Sequence, residues 1–111
     1  MIKHIVMWKM KEEAEGRSKI ENMEILKKML EDMRSGVDLI QNLEVGLNLS
    51  NDQTYYDIVL YSEFSGRDEL NAYAVHPEHV KVKDFLAKVR DSKASIDYEV
   101  IWQKNLLNQQ Y

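Results

Sequence analysis

Cysteine is absent from this chain, so no disulfide braces it and no thiolate chemistry runs in it. That absence fits a reducing compartment. Proline occurs once, at Pro77, and glycine four times, which leaves no proline- or glycine-rich linker and no low-complexity segment. Positive charge is in the minority, with 15 basic against 19 acidic residues and a formal net charge of −4. No basic stripe is available to neutralise phosphates, so no nucleic-acid partner is expected. Long uncharged runs are also missing, and none comes near the length that spans a bilayer. Strand-like sequence starts directly after Met1, which argues against a signal peptide. The expectation is a cytoplasmic protein with no membrane partner. HExxH, Walker, GxGxxG and GxSxG patterns are all missing, and no cofactor is expected.

What is present is enough for one domain: 111 residues, 44% of them hydrophobic. Residues 2–10 alternate, with Ile2, His4, Val6, Trp8 and Met10 on one side and Lys3, Ile5, Met7 and Lys9 on the other, the period of a strand. The charged segment 11–17 reads as a connection. Ser18 stands three residues before Glu21, the spacing of a capping box at a helix start. Ile20, Met23, Leu26, Leu30 and Met33 then form one apolar stripe, and Gly36 is placed to end the helix in a left-handed conformation. Strands follow at about 39–49 and 55–64, separated by the Ser50-Asn51-Asp52 turn signal. Ser65 can cap a short helix over 66–74. Pro77 starts another, which turns Val82, Phe85, Leu86 and Val89 inward. A last strand covers about 94–102, with Ile96, Tyr98, Val100 and Trp102 on one face. The domain is set at residues 1–104, followed by a polar tail at 105–111.

This order, β-α-β-β-α-β, is the ferredoxin-like arrangement of an α+β domain, a four-stranded antiparallel sheet with helices on one face. Two helices cover one side only, yet the central strands are apolar on both. The simplest cover for the second side is another copy of the same sheet, giving a homodimer that buries Ile5, Met7, Tyr56 and Ile58. The plainer alternative leaves those side chains in water.

Chemistry concentrates in Tyr73-Ala74-Val75-His76-Pro77-Glu78-His79-Val80. His76 is placed to cap the helix that Pro77 starts, and His79 falls in its first turn. His4, on the strand face shared with Val6 and Trp8, can look into the same cavity. Histidine titrates near neutrality and passes protons both ways. An ordinary structural role for all three histidines is the competing reading. A metal site is a third, with His76 and His79 joined by His4 or Asp57, although the spacing matches no recognised motif. No metal ligand is assigned.

Lys3-His4-Ile5-Val6 near the start, His76-Pro77-x-His79-Val80 after a helix carrying Tyr73, and Ile96-Asp97-Tyr98 in the last strand together resemble the stress-responsive A/B barrel family. The resemblance implies a dimeric α/β barrel. Members of that family include plant stress-induced proteins and a plant polyketide cyclase that performs an intramolecular aldol condensation. By similarity to the cyclase, His79 would be the general base, Tyr73 its hydrogen-bonding partner and His4 a pocket residue. Val6, Trp8, Met23, Leu26, Asp57, Val59, His76 and Val80 would complete the ligand site. The chain departs from the cyclase at Asp57, where the cyclase has a histidine, and at Lys83 and Arg90, where it has apolar residues. These departures point away from a long alkyl-tailed polyketide and leave a polar or anionic small ligand open. Barrels of this architecture also include haem-degrading and quinone-forming monooxygenases, so the fold alone does not choose an activity. Two functions of different class follow: a small-molecule enzyme using His79 and Tyr73, or a non-catalytic stress and assembly protein.

Overall fold

A computed structural model describes residues 1–101 of the chain. Trp102 and the tail at 105–111 lie outside the described residues. Strand β1 (Ile2–Met10) leads into a small hairpin of β2 (Glu13–Ala14) and β3 (Arg17–Ser18), then helix α1 (Lys19–Gly36). Strands β4 (Asn42–Leu47) and β5 (Ile58–Phe64) follow, then helices α2 (Arg67–Ala74) and α3 (Pro77–Val89), then strand β6 (Arg90–Glu99). The four long strands form one sheet in the order β4-β5-β1-β6, antiparallel throughout, which is the ferredoxin-like topology. Among the described residues, no helix is long and apolar enough to cross a membrane.

The hairpin was not foreseen. Segment 11–17 reads as a charged connection, but Glu15 and Gly16 both take positive φ (54° and 73°), the pairing that closes a two-residue turn with the right twist. Asn22, fully buried, holds the hairpin to α1: its side chain accepts from Arg17 Nε at 2.7 Å and donates to the Ala14 carbonyl at 3.1 Å. Ser18 caps α1 as its spacing predicts. Its hydroxyl accepts from Glu21 N, and the Glu21 carboxylate accepts from Ser18 N. The helix stripe is Leu26, Leu30 and Met33, with Asn22 buried at its start and Met23 only partly buried; Ile20 is 68% exposed. Gly36 stays helical, and the cap is Val37 in an extended conformation, so no left-handed residue ends this helix. Ser65 makes no cap to α2, whose N-cap is Gly66.

The core lies between the sheet and α1, α2 and α3. Phe64, Leu26, Leu30, Val37 and Val89 are completely enclosed there. The register assigns the faces. Trp8 pairs with Ile58 and Val6 with Leu60 on the helix side, while Ile5 pairs with Tyr61 and Met7 with Val59 on the open side. Ile58, expected on the open face, is therefore core at 2% exposure, and Val59, expected at the ligand, lies on the open face. On that face Ala94 stands beside Met7 and Ile96 beside Ile5, flanked by Lys3 over the Tyr61 ring and Lys9 over the Tyr56 ring.

Replacing Asn22 with Ala would strand the Ala14 carbonyl and the Arg17 guanidinium in a closed site. The expected loss is about 1–3 kcal/mol of unfolding free energy, read by urea denaturation. An unchanged transition midpoint would show that the hairpin is not tied to α1 through this amide.

Candidate functional site

Helix α3 begins where it does because Pro77 has no amide hydrogen to leave unpaired at the first helical position. His76 is the N-cap, in extended conformation, and its Nδ1 accepts from Glu78 N at 3.1 Å. Val80 N donates to the His76 carbonyl at 3.0 Å, closing the first turn and fixing where His79 emerges. The His79 Nδ1 lies 3.0 Å from the Ala74 carbonyl oxygen. A carbonyl only accepts, so Nδ1 carries the hydrogen and Nε2 carries the free lone pair.

The His79 ring packs on Tyr73 with centroids 4.5 Å apart, and Tyr73 in turn meets Phe64 at 4.9 Å and the His4 ring at 6.0 Å. His4 is held from the other side by its Nδ1 bond to the Asp97 carboxylate across the β1–β6 pair. Tyr73 is 2% exposed, and its hydroxyl finds Met33 Sδ at 3.9 Å inside the core. Burial drives its phenol well above the ordinary tyrosine range. The ring supports His79, while the hydroxyl is turned toward the core. The hydrogen-bond role that resemblance gives Tyr73 therefore has no basis in this geometry.

His4, Val6, Trp8, Tyr73 and His79 line one cavity of about 440 Å³ between the sheet and α2–α3. That volume falls in the range of small-molecule sites. Leu30, Leu60, Val82 and Leu86 extend its apolar wall, and Lys83, Arg90, Lys93, Ser95 and Asp97 form its polar side. The remaining sequence candidates lie elsewhere. Leu26 is sealed in the core, Val59 faces the other side of the sheet, His76 is spent on its cap, and Val80 is 40% exposed. Met23 and Asp57 border a separate depression beyond Met10, where Asp57 accepts from Met10 N at 2.7 Å and pairs with Lys19 at 3.4 Å. The residue that stands for a cyclase histidine is thus a strand-end clamp. Among the described residues, no group of three or more His, Cys, Asp or Glu comes together as a metal site.

The residues that sequence reasoning missed are on β6. Lys93, Ser95 and Asp97 face the helices while Ala94, Ile96 and Tyr98 face away, so this strand is polar toward the cavity and apolar toward the open side. The alternation was visible in the sequence as a strand with one apolar face. What it lacked was the register, which shows that face pointing away from the helices.

Burial lowers the pKa of His79, and the nearby charges of Lys83, His4 and Lys93 lower it further against the raising effect of the Ala74 carbonyl. The imidazole is neutral at pH 7 and its Nε2 can accept a proton. In the unfolded chain the same histidine titrates near about 6.5 and takes up its proton first. Stability is therefore complete above that pH, and this histidine's contribution is lost as pH falls through the window below it. An NMR titration should place the His79 midpoint below 6.5, and His79→Gln should flatten the acid side of the stability profile. A midpoint at or above 6.5 would contradict this environment.

The family model for the stress responsive A/B barrel domain matches residues 2–100. Among curated relatives, stress-response A/B barrel domain-containing protein DABB1 of Arabidopsis thaliana is 24% identical over 107 residues, covering 88% of this chain and 46% of DABB1. The chain thus spans less than half the length of that relative. Among solved structures, a dimeric protein of ferredoxin-like fold from Bacteroides fragilis is 36% identical with a TM-score of 0.78, covering 89% of this chain and 95% of its own. The hydroxynitrile lyase of Passiflora edulis superposes with a TM-score of 0.73 at 12% identity, covering 92% and 94%, a likeness of fold alone. With nearly its whole described length matched, the chain belongs to the stress responsive A/B barrel domain family.

Proposed function

We propose that this protein is a homodimer whose cavity binds a small carbonyl compound, with His79 as the base that removes a proton from the carbon next to the carbonyl. The observation that carries this reading is a neutral, half-buried imidazole with its Nε2 lone pair free, set in an apolar-walled cavity of about 440 Å³. In the step, the C–H proton moves to Nε2, making an imidazolium, and the bonding pair moves through the new C=C bond onto the oxygen. The enolate needs a partner of opposite charge. Lys83 supplies it: it lies four residues after His79 on α3, hence on the same helix face, and lines the same cavity. Tyr73 positions the ring of His79 and takes no part in the proton transfer. Returning the proton at the same or another atom regenerates the neutral imidazole.

Deuterium uptake next to the carbonyl of hexan-2-one, followed by NMR in heavy water, tests the base. The wild-type protein should exceed the buffer rate, and His79→Gln should lose about 100-fold or more of the excess. Uptake at the buffer rate by the wild type would remove the base and leave the non-catalytic assembly function.

The dimer rests on the open face, where Ile96 is 58% exposed beside Ile5 and Met7, together with the dimeric state of the 36%-identical relative. Two such faces stacked across a two-fold axis bury the apolar centre of each, at about 1,600 Å² or more in total. Met7→Asp puts an unpaired charge in that centre and should give monomer or aggregate by light scattering. A clean dimer from that variant at the wild-type concentration would sink the two-faced arrangement.

A further inference from the structure

Three cations line the cavity, Lys83 on α3, Arg90 where α3 passes into β6, and Lys93 on β6. Among the described residues none of the three donates a side-chain hydrogen bond, whereas Lys9, Lys11, Arg17 and Arg34 each do. Lys19, Lys27, Lys28, Lys81 and Lys88 each pair with a carboxylate, whereas among the described residues none of these three does. Among the described residues the cavity has one acidic lining residue, Asp97, and it is bonded to His4. In a chain of net charge −4, the cavity is a local reversal of sign. Unpaired cations gathered at an apolar-walled concavity favour an anionic group with an apolar body.

The cations are also divided along the site. Lys83 stands one helical turn from His79, and Arg90 about two turns further, at the end of α3. Lys93, near enough to His79 to lower its pKa, is paired in the sheet with Trp8, four residues along β6 from Asp97 at the His4 end. That is about 13 Å of strand, which the inward reach of the side chains shortens. Trp8 and Leu86 line the wall of the same cavity. Resting on the proposed site, we infer that its ligand class is an oxo-carboxylic acid with several carbons between its two functions. The ketone lies at His79 and Lys83, and the carboxylate lies at Arg90 and Lys93. The planar guanidinium of Arg90 can take both carboxylate oxygens, and Lys93 adds a point charge.

The test is binding, which does not depend on catalysis. NMR titration compares 7-oxooctanoate with 7-oxooctanamide, a pair of nearly equal shape that differs in charge. The carboxylate should bind at least about tenfold more tightly, the difference that one good charge-assisted hydrogen bond makes. Added salt should narrow that gap. Arg90→Met and Lys93→Met, both with folding checked by circular dichroism, keep an apolar stem and should each bring the carboxylate toward the affinity of the amide. His79→Gln should leave the preference intact. Equal binding of the two compounds by the wild type would overturn the carboxylate seat while leaving the pocket standing. Binding of neither would overturn both. Inorganic phosphate displacing the carboxylate at equal concentration would also overturn it, by making the seat a phosphate site.

Discussion

Strand β1 is hydrogen-bonded along both edges, to β5 and to β6, and the two registers it holds decide what every other part of this fold can be. A strand has period two, so each residue's side is fixed once one pair is fixed. Trp8 opposite Ile58 and Lys93 sends Val6, Leu60 and Ser95 to the helices, and sends Ile5, Tyr61 and Ile96 away from them. The cavity and the open apolar face are therefore two readings of a single pairing. The helices only close over what the pairing has already sorted.

Over that frame, α3 sets the chemistry. One proline, one histidine cap and one carbonyl bond determine the direction and tautomer of His79. Burial and neighbouring positive charge keep the ring neutral. The same cations that disfavour an imidazolium favour an anion nearby, so the proposed base and the proposed anion seat would reinforce each other: an anionic ligand would offset the charge that builds on His79 in a proton transfer.

Much of this was legible in the sequence because the signals were local. The Ser18–Glu21 capping box and the start of α3 at Pro77 depend on residues within one turn of each other, and they fold as read. The His79 ring packs on Tyr73, and Tyr73 meets His4, beside the His76-Pro77-x-His79 segment. What failed was long-range. Exchanging Ile58 for Val59 between the core and the open face is a one-residue error in strand parity, and nothing local corrects it. Asp57 was assigned to the site by correspondence with a histidine, yet it sits past the end of the paired region, clamped by Met10 N and Lys19. Ile20 fits the helical period but is 68% exposed, and the buried place at the start of α1 is taken by Asn22, the polar tie to the unforeseen hairpin.

Helix α3 ends at Val89 and strand β6 begins at Arg90, with no loop between them. In place of a loop the start of β6 carries a bulge: Lys9 pairs with Ser92 but Met10 with Arg90, so Asp91 is an extra residue in the ladder, and Arg90 and Lys93, three places apart, both line the cavity. Gaining or losing a single codon beyond that bulge, between Ser92 and Lys93, would slide the rest of β6 by one place and exchange its two sides. Lys93 and Asp97 would be turned onto the outer surface, and Ala94 and Ile96 into the cavity. The proposed ligand recognition and the self-association of the open face would be lost in one event, though neither set of residues had changed in identity. The two faces thus depend on one register, held from the bulge onward.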